Sequence, residues 1–391
     1  MLVAHLTDRF SAIGGVQTYL RGLVPALAER GIRSVVIAGE RSADDFEGAP
    51  VLHVGAVGSD RAKLTERDRL ELRAAIADAR PDVVYAHYVL SPAVVTEACA
   101  AVGTLVYAHD YFMRCPGSER YLHTRQAFCA EGPGLRCLGR AYLERCTNRR
   151  PDRLLREYGR VRSWYALVPG PRRVLVASPF VARVLEAGGV AAEQIAIVPY
   201  PVAPPAASTS RPDDPAPTVL YVGRLTGSKG VDVLIEALAR LDSVSATIAG
   251  DGPARESLER LARRLGVAER IRFVGWVSPP ERSGLFARAS VLAMPSLWQE
   301  PFGIVGLEAL AAGVPVVASA VGGIPSWLRD GEAGLLVPAS DPARLADALG
   351  RVVGDPTLRA RLSEKGPEAA ARHSMKRHLE LLLPELRRAM G

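Results

Sequence analysis

Residues 300–316 read EPFGIVGLEALAAGVPV, and this stretch decides how the rest of the chain is interpreted. Its pattern predicts a helix over 306–312 and a buried strand over 316–319. Gly303 and Gly306 would let the backbone approach a ligand closely. The unpaired N–H groups at the start of such a helix carry partial positive charge, so the turn before it is predicted to bind an anion.

Two glutamates flank this predicted anion site. Glu300 precedes the turn, and Glu308 lies about two positions inside the helix. An ionised carboxylate only accepts hydrogen bonds and can hold two sugar hydroxyls. The pair therefore suits a ligand that carries both a phosphate and hydroxyl groups.

Apolar strands alternate with amphipathic helices on both sides of the quoted stretch. One group of strands is predicted at 2–6, 35–38, 82–86, 104–108 and 173–177, and a second at 218–222, 246–249, 271–274, 291–294 and 316–319. This alternation is typical of parallel sheets, and 391 residues exceed what one hydrophobic core usually supports. The sequence predicts an α/β protein of two doubly wound domains, whose ligands bind at the carboxyl ends of the strands.

A proline-rich segment separates the two groups of strands. Seven prolines fall between Pro199 and Pro217, a density that supports neither a helix nor an interior strand. The predicted boundaries are an N-terminal domain at 1–200, a linker at 201–217 and a C-terminal domain at 218–371. An amphipathic helix is predicted at about 372–391.

A second motif follows the first strand of the C-terminal domain. Gly223-Arg224-Leu225 is followed by Lys229-Gly230, between a predicted strand and a predicted helix. Two cations at that position can clamp a pyrophosphate.

Residues 300–317, in the frame E-P-F-G-x-x-x-x-E-A-x-A-x-G-x-P-V-V, resemble the signature of the retaining GT-B transferases of glycosyltransferase family 4. Residues 223–230 resemble the diphosphate-binding G-R-L-x-x-x-K-G of that family, and Gly14-Gly15 its N-terminal glycine loop. The resemblance is dense from about 219 to 337 and thin before it. It implies two Rossmann-like domains that face a central cleft, with the last helix returning to the N-terminal, acceptor-binding domain.

The resemblance also implies roles for individual residues. The implied donor-binding residues are Gly14, Gly15, Arg224, Lys229, Glu300, Phe302, Gly303, Ile304, Val305 and Glu308, and the implied catalytic residues are Glu300, His109, Arg224 and Lys229. Arg224 and Lys229 would neutralise the diphosphate, and Glu308 would hold the ribose hydroxyls. Glu300 and the amides of 302–305 would contact the donor sugar, which His109 would face from across the cleft.

The implied reaction moves a hexose-type sugar, with retention, from a nucleoside diphosphate to a hydroxyl acceptor. A UDP-sugar is favoured as donor and GDP-mannose is the other option, while a glycan, a glycolipid or a natural-product intermediate would be the acceptor. Retaining members of the family are thought to need no protein nucleophile, so stabilisation of charge on the phosphate is the essential task. No D-x-D motif occurs, and we expect neither a catalytic metal nor another cofactor.

Two other enzyme classes fit parts of the pattern. A dinucleotide-dependent oxidoreductase also has open parallel sheets, and Glu40 follows the second strand where a ribose-binding acid would lie. The G-x-G-x-x-G fingerprint of such enzymes is missing, since Gly14-Gly15 is only a pair. A GT-B phosphorylase would need pyridoxal phosphate and a longer chain.

Four of the five cysteines lie close together in sequence: Cys115, Cys129, Cys137 and Cys146. Four thiolates can hold a structural zinc ion, but no pair here has the C-x2-C to C-x4-C spacing of such sites. Reduced, packed cysteines are therefore the favoured interpretation.

Positive charge is concentrated in one segment. Residues 114–173 contain 14 Arg, no Lys and five acidic residues, a balance of +9 in a chain whose net charge is +7. The segment could contact an anionic membrane, an anionic acceptor or nucleic acid, or could be a solvated face. No zinc-finger, RRM or KH pattern supports nucleic acid. No membrane span or signal peptide is evident, so the predicted location is the cytoplasm, with peripheral contact at the inner face of the membrane as an option.

Overall fold

A computed structural model describes residues 1–10, 15–40, 46, 48–167, 170–203 and 218–391 of the chain. The chain forms two compact units. The N-terminal unit contains Met1–Arg125, Cys129–Pro201 and Met375–Gly391, and the C-terminal unit contains Gln126–Phe128 and Val202–Ser374. The last segment of the chain thus belongs to the same unit as the first.

The N-terminal unit is built on a seven-stranded parallel sheet. Its strands are β1 (Leu2–Arg9), β2 (Arg33–Glu40), β3 (Val51–His53), β4 (Val83–His87), β5 (Thr104–Ala108), β8 (Arg173–Val176) and β9 (Ile195–Ile197), in the order β3-β2-β1-β4-β5-β8-β9. Two short strands outside this sheet are β6 (Tyr121–Leu122) and β7 (Ala127–Phe128). All five residues of β4 and of β5 are buried, as expected for central strands covered by helices on both faces.

Seven helices accompany this sheet among the described residues. They are α1 (Gly15–Ala28), α2 (Glu66–Ala79), α3 (Pro92–Ala101), α4 (Leu135–Leu143), α5 (Pro151–Leu167), α6 (Pro179–Glu186) and α13 (Met375–Met390). Leu379, Leu382 and Leu386 form one apolar face of α13 and are at most 2% exposed. Through this face α13 packs against β4, β5 and α1.

The C-terminal unit has a six-stranded parallel sheet. Its strands are β10 (Thr218–Val222), β11 (Ser245–Ala249), β12 (Ile271–Gly275), β13 (Val291–Met294), β14 (Val316–Ser319) and β15 (Gly334–Val337), in the order β12-β11-β10-β13-β14-β15. Its helices are α7 (Val231–Leu238), α8 (Arg255–Arg264), α9 (Pro279–Arg288), α10 (Ile304–Ala311), α11 (Pro342–Gly354) and α12 (Pro356–Ala371).

Each sheet reverses its winding direction once near its centre. In the N-terminal unit the reversal lies between β1 and β4, and in the C-terminal unit between β10 and β13. Ligands of open parallel sheets bind beside such a reversal, outside the carboxyl ends of the strands. The topology therefore marks one candidate ligand edge in each unit.

The prediction of an α/β fold with two doubly wound sheets is confirmed. Five strands were missed: β3 and β9, which have only three residues each, β6 and β7, which have two each, and β15. The helix predicted from Gly306 begins at Ile304, because Gly303 adopts φ 84° and serves as its N-cap. The predicted linker lies largely outside the described residues. No helix in the described part of the chain is both long and apolar enough to cross a bilayer.

Candidate functional site

The carboxyl ends of β10 and β13 bring the two predicted motifs of the C-terminal unit together. Lys229 lies in the turn after β10, and its Nζ donates a hydrogen bond of 2.7 Å to Oε1 of Glu300, in the loop after β13. The hydroxyl of Ser296 donates to the same oxygen at 2.6 Å. The Lys229 ammonium also lies 4.8 Å from the centre of the Trp298 ring. The loop thus holds a charged pair at the point where the topology places a ligand.

Glu300 is ionised in this setting although its side chain is only 7% exposed. Burial by itself raises the pKa of a carboxyl group. The charge of Lys229 and the hydrogen bonds from Lys229, Ser296 and Trp298 outweigh burial, so the pKa of Glu300 is lowered. Glu300 is therefore a fixed negative charge, and Lys229, with a side chain 25% exposed, is the member of the pair that faces solvent more.

The start of α10 offers unpaired amides beside this pair. Ile304 and Val305 are half-buried first-turn residues, and the first N–H groups of a helix have no acceptor within it. The N–H of Gly306 is already bonded to the carbonyl of Gly303, at 3.1 Å. The Gly306 amide is therefore not available to an anion, whereas the amides of Ile304 and Val305 are.

Gly306 is required for internal packing, which corrects its predicted role as a point of ligand approach. A Cβ at this position would lie 2.2 Å from the Trp327 indole and 2.7 Å from the sulfur of Met294. The Trp327 indole in turn donates to the carbonyl of Phe302, at 2.6 Å. The Phe302 ring is 2% exposed and packs edge-on against His373, so any ligand contact of Phe302 is left to its backbone.

Glu308 lies in the second turn of α10 and has a partner that the motif did not predict. Its Oε1 accepts a hydrogen bond of 3.0 Å from Arg282 on α9. Burial raises the pKa of Glu308, and the charge of Arg282 opposes that rise. Glu308 is thus a positioned acceptor, with a side chain 21% exposed, rather than a freely solvated helix residue. The sequence carries no signal for Arg282, which is 26 residues away on another helix.

Arg224 is exposed, and among the described carboxylates none pairs with its guanidinium. Its carbonyl accepts from the Tyr221 hydroxyl at 3.0 Å, which fixes the backbone of the loop. The neighbouring loop passes so close that a Cβ on Gly250 would lie 1.8 Å from the carbonyl oxygen of Gly223. The site therefore presents one cation already paired, Lys229, and one available for an added anion, Arg224.

The two glycines predicted in the N-terminal loop have different outcomes. Gly14 lies outside the described residues. Gly15 is exposed at the first position of α1, and a Cβ there would meet nothing within 4 Å. The described surroundings of Gly15 therefore do not require glycine, and its predicted role in donor binding stays a prediction.

His109, predicted to face the donor sugar, is 8% exposed and belongs to a buried network of rings. Its Nδ1 is bonded to the Tyr200 hydroxyl, and its Nε2 lies 3.4 Å from Nδ1 of His87. Nearby, the Tyr19 hydroxyl lies 2.8 Å from Nε2 of His378. Burial lowers the pKa of His109 to about 3, so the ring is neutral. Both ring nitrogens are engaged within the N-terminal unit.

A second polar group lies at the carboxyl edge of the N-terminal sheet. Asp8 is the penultimate residue of β1, Tyr88 follows β4 and Asp110 lies just after β5, beside the winding reversal. Burial raises the pKa of Asp110 to about 7 against the opposing effects of the Phe112 amide, Arg160 and Tyr88. Tyr88 adopts φ 51°, a left-handed conformation that is strained for a tyrosine. These three residues are far apart in the sequence, and the strand order brings the strand ends that carry them together.

The cysteine cluster shows no metal geometry. Cys115, Cys129, Cys137 and Cys146 are half-buried free thiols. Burial raises the pKa of Cys137 to about 11 and of Cys146 to about 12, so both groups are neutral thiols near neutral pH. Within the described ranges, no three His, Cys, Asp or Glu side chains are arranged to hold a metal ion.

Two family models match successive parts of the chain. The model described as "Glycosyltransferase Family 4" matches residues 13–204, and the model described as "Glycosyl transferases group 1" matches residues 207–369. The second match includes every candidate residue of the C-terminal unit.

Curated relatives share shorter segments. The chain is 44% identical over 154 residues to the lipopolysaccharide core biosynthesis glycosyltransferase LpsE of Rhizobium meliloti. The matched segment covers 39% of this chain and 44% of that protein. It is 39% identical over 170 residues to a D-inositol 3-phosphate glycosyltransferase of Corynebacterium urealyticum, 41% of this chain and 40% of that protein. An alpha-D-kanosaminyltransferase of Streptomyces kanamyceticus is 38% identical over 167 residues, 41% of this chain and 43% of its own. The matches thus span less than half of each relative.

Solved structures share the fold over nearly the full chain. The sucrose-phosphate synthase of Thermosynechococcus elongatus has a TM-score of 0.72 at 24% identity and covers 99% of this chain and 98% of its own. HepE of Anabaena in complex with UDP has a TM-score of 0.72 at 19% identity and covers 99% of both chains. With two glycosyltransferase models matched in succession and the fold shared from end to end, the protein is a member of the GT-B glycosyltransferases.

Proposed function

We propose that this protein transfers a hexose-type sugar, with retention, from a nucleoside diphosphate sugar to a hydroxyl acceptor. The observation that carries the proposal is the Lys229–Glu300 pair, which lies beside the exposed Arg224 at the winding reversal of the C-terminal sheet. A fixed carboxylate, two cations and the unpaired amides of α10 are the groups that a sugar diphosphate requires.

Each group has a proposed task in donor binding. Arg224 and Lys229 would neutralise the diphosphate, and the amides of Ile304 and Val305 would add hydrogen bonds to the donor. Glu308, held by Arg282, would accept hydrogen bonds from the ribose hydroxyls. Glu300 would accept a hydroxyl of the sugar while it positions Lys229.

In the proposed reaction the bond between the anomeric carbon and the phosphate oxygen breaks, and the acceptor oxygen bonds to that carbon on the same face. The acceptor proton passes to the departing phosphate, so no protein nucleophile or base is needed. Arg224 and Lys229 stabilise the charge that develops on the diphosphate. We propose that they do so without a metal or another cofactor.

The nature of the donor is supported by the neighbours. HepE of Anabaena was solved with UDP and with UDP-glucose, so a UDP-sugar is the favoured donor here and GDP-mannose the second choice. The free cysteines fit a reducing compartment, and we place the reaction in the cytoplasm.

We assign the acceptor to the carboxyl edge of the N-terminal sheet, where Asp8, Tyr88 and Asp110 lie. Carboxylates beside a tyrosine hydroxyl suit a polyol such as a glycan, a glycolipid head group or a hydroxylated natural product. Burial raises the pKa of Asp110, and the charge of Arg160, itself only 4% exposed, opposes that rise. The predicted contact of His109 with the donor sugar stays a prediction.

A thermal-shift comparison of UDP, GDP, ADP and dTDP, each with and without its sugar, tests the donor. A ligand at 100 times its Kd stabilises the folded state by about 2.7 kcal/mol, so the correct nucleotide is expected to raise the Tm. Lys229→Ala should abolish the shift and Lys365→Ala, at an exposed lysine of α12, should not. Failure of every nucleotide diphosphate to raise the Tm would refute the proposal. NMR of the product should then show the anomeric configuration of the donor.

A further inference from the structure

Helix α4 carries an apolar face that nothing in the described chain covers. Leu135, Tyr142 and Leu143 are 87%, 47% and 75% exposed. They are separated by seven and eight residues, about two helical turns, so they project from one side of the helix. Single exposed leucines are common on protein surfaces, but a cluster of exposed apolar side chains indicates an interaction site.

Arginines surround this face without compensating acids. The exposed side chains of Arg136, Arg145, Arg149, Arg150 and Arg153 have no described carboxylate within 4.0 Å. The two acidic residues nearest in sequence to α4 are already paired, Glu131 with Arg140 at 2.9 Å and Glu144 with Arg125. The charge of the segment is therefore available to an external anion.

Helix α5 also exposes a leucine and an arginine. It packs against α4, and it exposes Leu155, at 61%, together with Arg162, seven residues further along the helix. Four of the large apolar side chains that the described chain exposes thus fall between residues 135 and 155, inside its most basic segment.

We propose that α4 and the start of α5 form a docking surface for an anionic lipid bilayer. The arginines meet lipid phosphates, and Leu135, Tyr142 and Leu143 enter the boundary between head groups and acyl chains, as in an interfacial amphipathic helix. A solvated face would explain the arginines but not the leucines. A second copy of the chain would bring the same uncompensated charge to the interface and be repelled.

Co-sedimentation of the full chain with vesicles tests this proposal. We expect binding to vesicles that contain phosphatidylglycerol to be at least about tenfold tighter than to pure phosphatidylcholine, because each Arg near the surface contributes about 1 kcal/mol. Raising the salt concentration to about 0.5 M should weaken binding, since it shortens the Debye length. Equal binding to both vesicles, or none to either, would overturn the proposal.

Two variants separate the apolar from the charged contribution. Leu135→Ser/Leu143→Ser and Arg149→Gln/Arg150→Gln should each weaken vesicle binding at least about fivefold, with an unchanged Tm because all four residues are exposed. The matched control is Arg263→Gln/Arg264→Gln/Leu265→Ser, which removes two exposed arginines and an exposed leucine at the end of α8 and should bind as the unmodified chain does.

Two results would assign the surface to another partner. If the leucine variant binds vesicles normally, the surface binds polyanions by charge alone. If the unmodified chain dimerises in sedimentation equilibrium and the leucine variant is monomeric with normal vesicle binding, the face joins two copies. Either result contradicts the proposed insertion of Leu135 and Leu143 into a bilayer.

Discussion

Lys229 and Glu300, 71 residues apart in the chain, lie with Nζ 2.7 Å from Oε1, and the carboxylate is the more buried partner. Lys229→Ala would leave Glu300 without its main counter-charge. We expect turnover to fall by orders of magnitude and the free energy of unfolding to fall by about 3 kcal/mol near neutral pH.

The pH dependence of the stability of Lys229→Ala follows from the direction in which Lys229 shifts the pKa of Glu300. In the natural pair the pKa of Glu300 is lowered, so its contribution to stability is present above the unfolded value and is lost in acid. In Lys229→Ala burial dominates, and stability should instead decrease as pH rises. Urea unfolding at several pH values measures this. The double variant Lys229→Met/Glu300→Gln should recover stability but not activity, and recovered activity would contradict the assigned roles.

The Arg282–Glu308 contact predicts a pH effect on donor binding. Arg282→Ala removes the cation that opposes the burial-driven rise in the pKa of Glu308, so the carboxylate should protonate at higher pH. Since a protonated carboxyl accepts fewer hydroxyl hydrogen bonds, nucleotide affinity should begin to fall at a higher pH during acidification. Calorimetric titration from pH 8 to pH 5 measures the shift. Arg288→Ala, on the same helix, is the control, and an unaltered profile in Arg282→Ala would argue against ribose binding by Glu308.

The close packing around Gly306 predicts that a side chain at this position lowers the stability of the protein. Gly306→Ala places a Cβ against Trp327 and should lower the free energy of unfolding by about 1–3 kcal/mol. Gly284→Ala in α9, where a Cβ meets nothing within 4 Å, should raise it by about 0.5–1 kcal/mol. Thermal unfolding distinguishes the two, and a neutral Gly306→Ala would mean that the indole has room to move.

Replacing the buried carboxyl group of Asp110 by a neutral amide should stabilise the protein. Its folded pKa, about 7, lies above the ordinary value of 3.8, so the native state binds the proton more tightly and stability falls as pH rises from about 4 to about 7. Asp110→Asn should therefore raise the Tm at pH 8 more than at pH 5. If Asp110 holds the acceptor, the same variant raises the acceptor KM and leaves the nucleotide-induced Tm shift intact. An unchanged KM would remove Asp110 from the proposed acceptor site.

The buried histidines should make the protein less stable in acid, which is the opposite of the pH dependence that Asp110 contributes. Burial lowers the pKa of His5 and His109 to about 3 and of His378 to about 4, and it lowers the pKa of His87 as well. The unfolded chain therefore takes up more protons, and stability should fall below about pH 6.5 by up to 1.4 kcal/mol per pH unit for each histidine. His109→Gln should lessen this slope in urea unfolding, and an unchanged slope would contradict the burial-driven shift of His109.

Contiguous features were the ones that could be predicted from the sequence. The alternation of strands and helices indicated both sheets, and the spacing of Glu300 and Glu308 located the loop at the winding reversal. Contacts between distant elements were not predictable: Arg282 reaches Glu308 only because α9 lies beside α10, and Tyr200 reaches His109 across 91 residues. The helix start was misplaced because Gly303 fits either a turn or an N-cap, and only its φ of 84° decides.

The return of α13 to the N-terminal unit has a consequence for synthesis on the ribosome. All described strands of both sheets precede Met375, but His378, Leu382 and Leu386 belong to the core of the unit whose strands are made first. The Tyr19 hydroxyl, which also bonds to Tyr85, therefore meets its second partner, His378, only after both sheets have been synthesised. The nascent chain can complete the C-terminal unit before the N-terminal one, and removal of α13 would disrupt the older half of the protein rather than the newer.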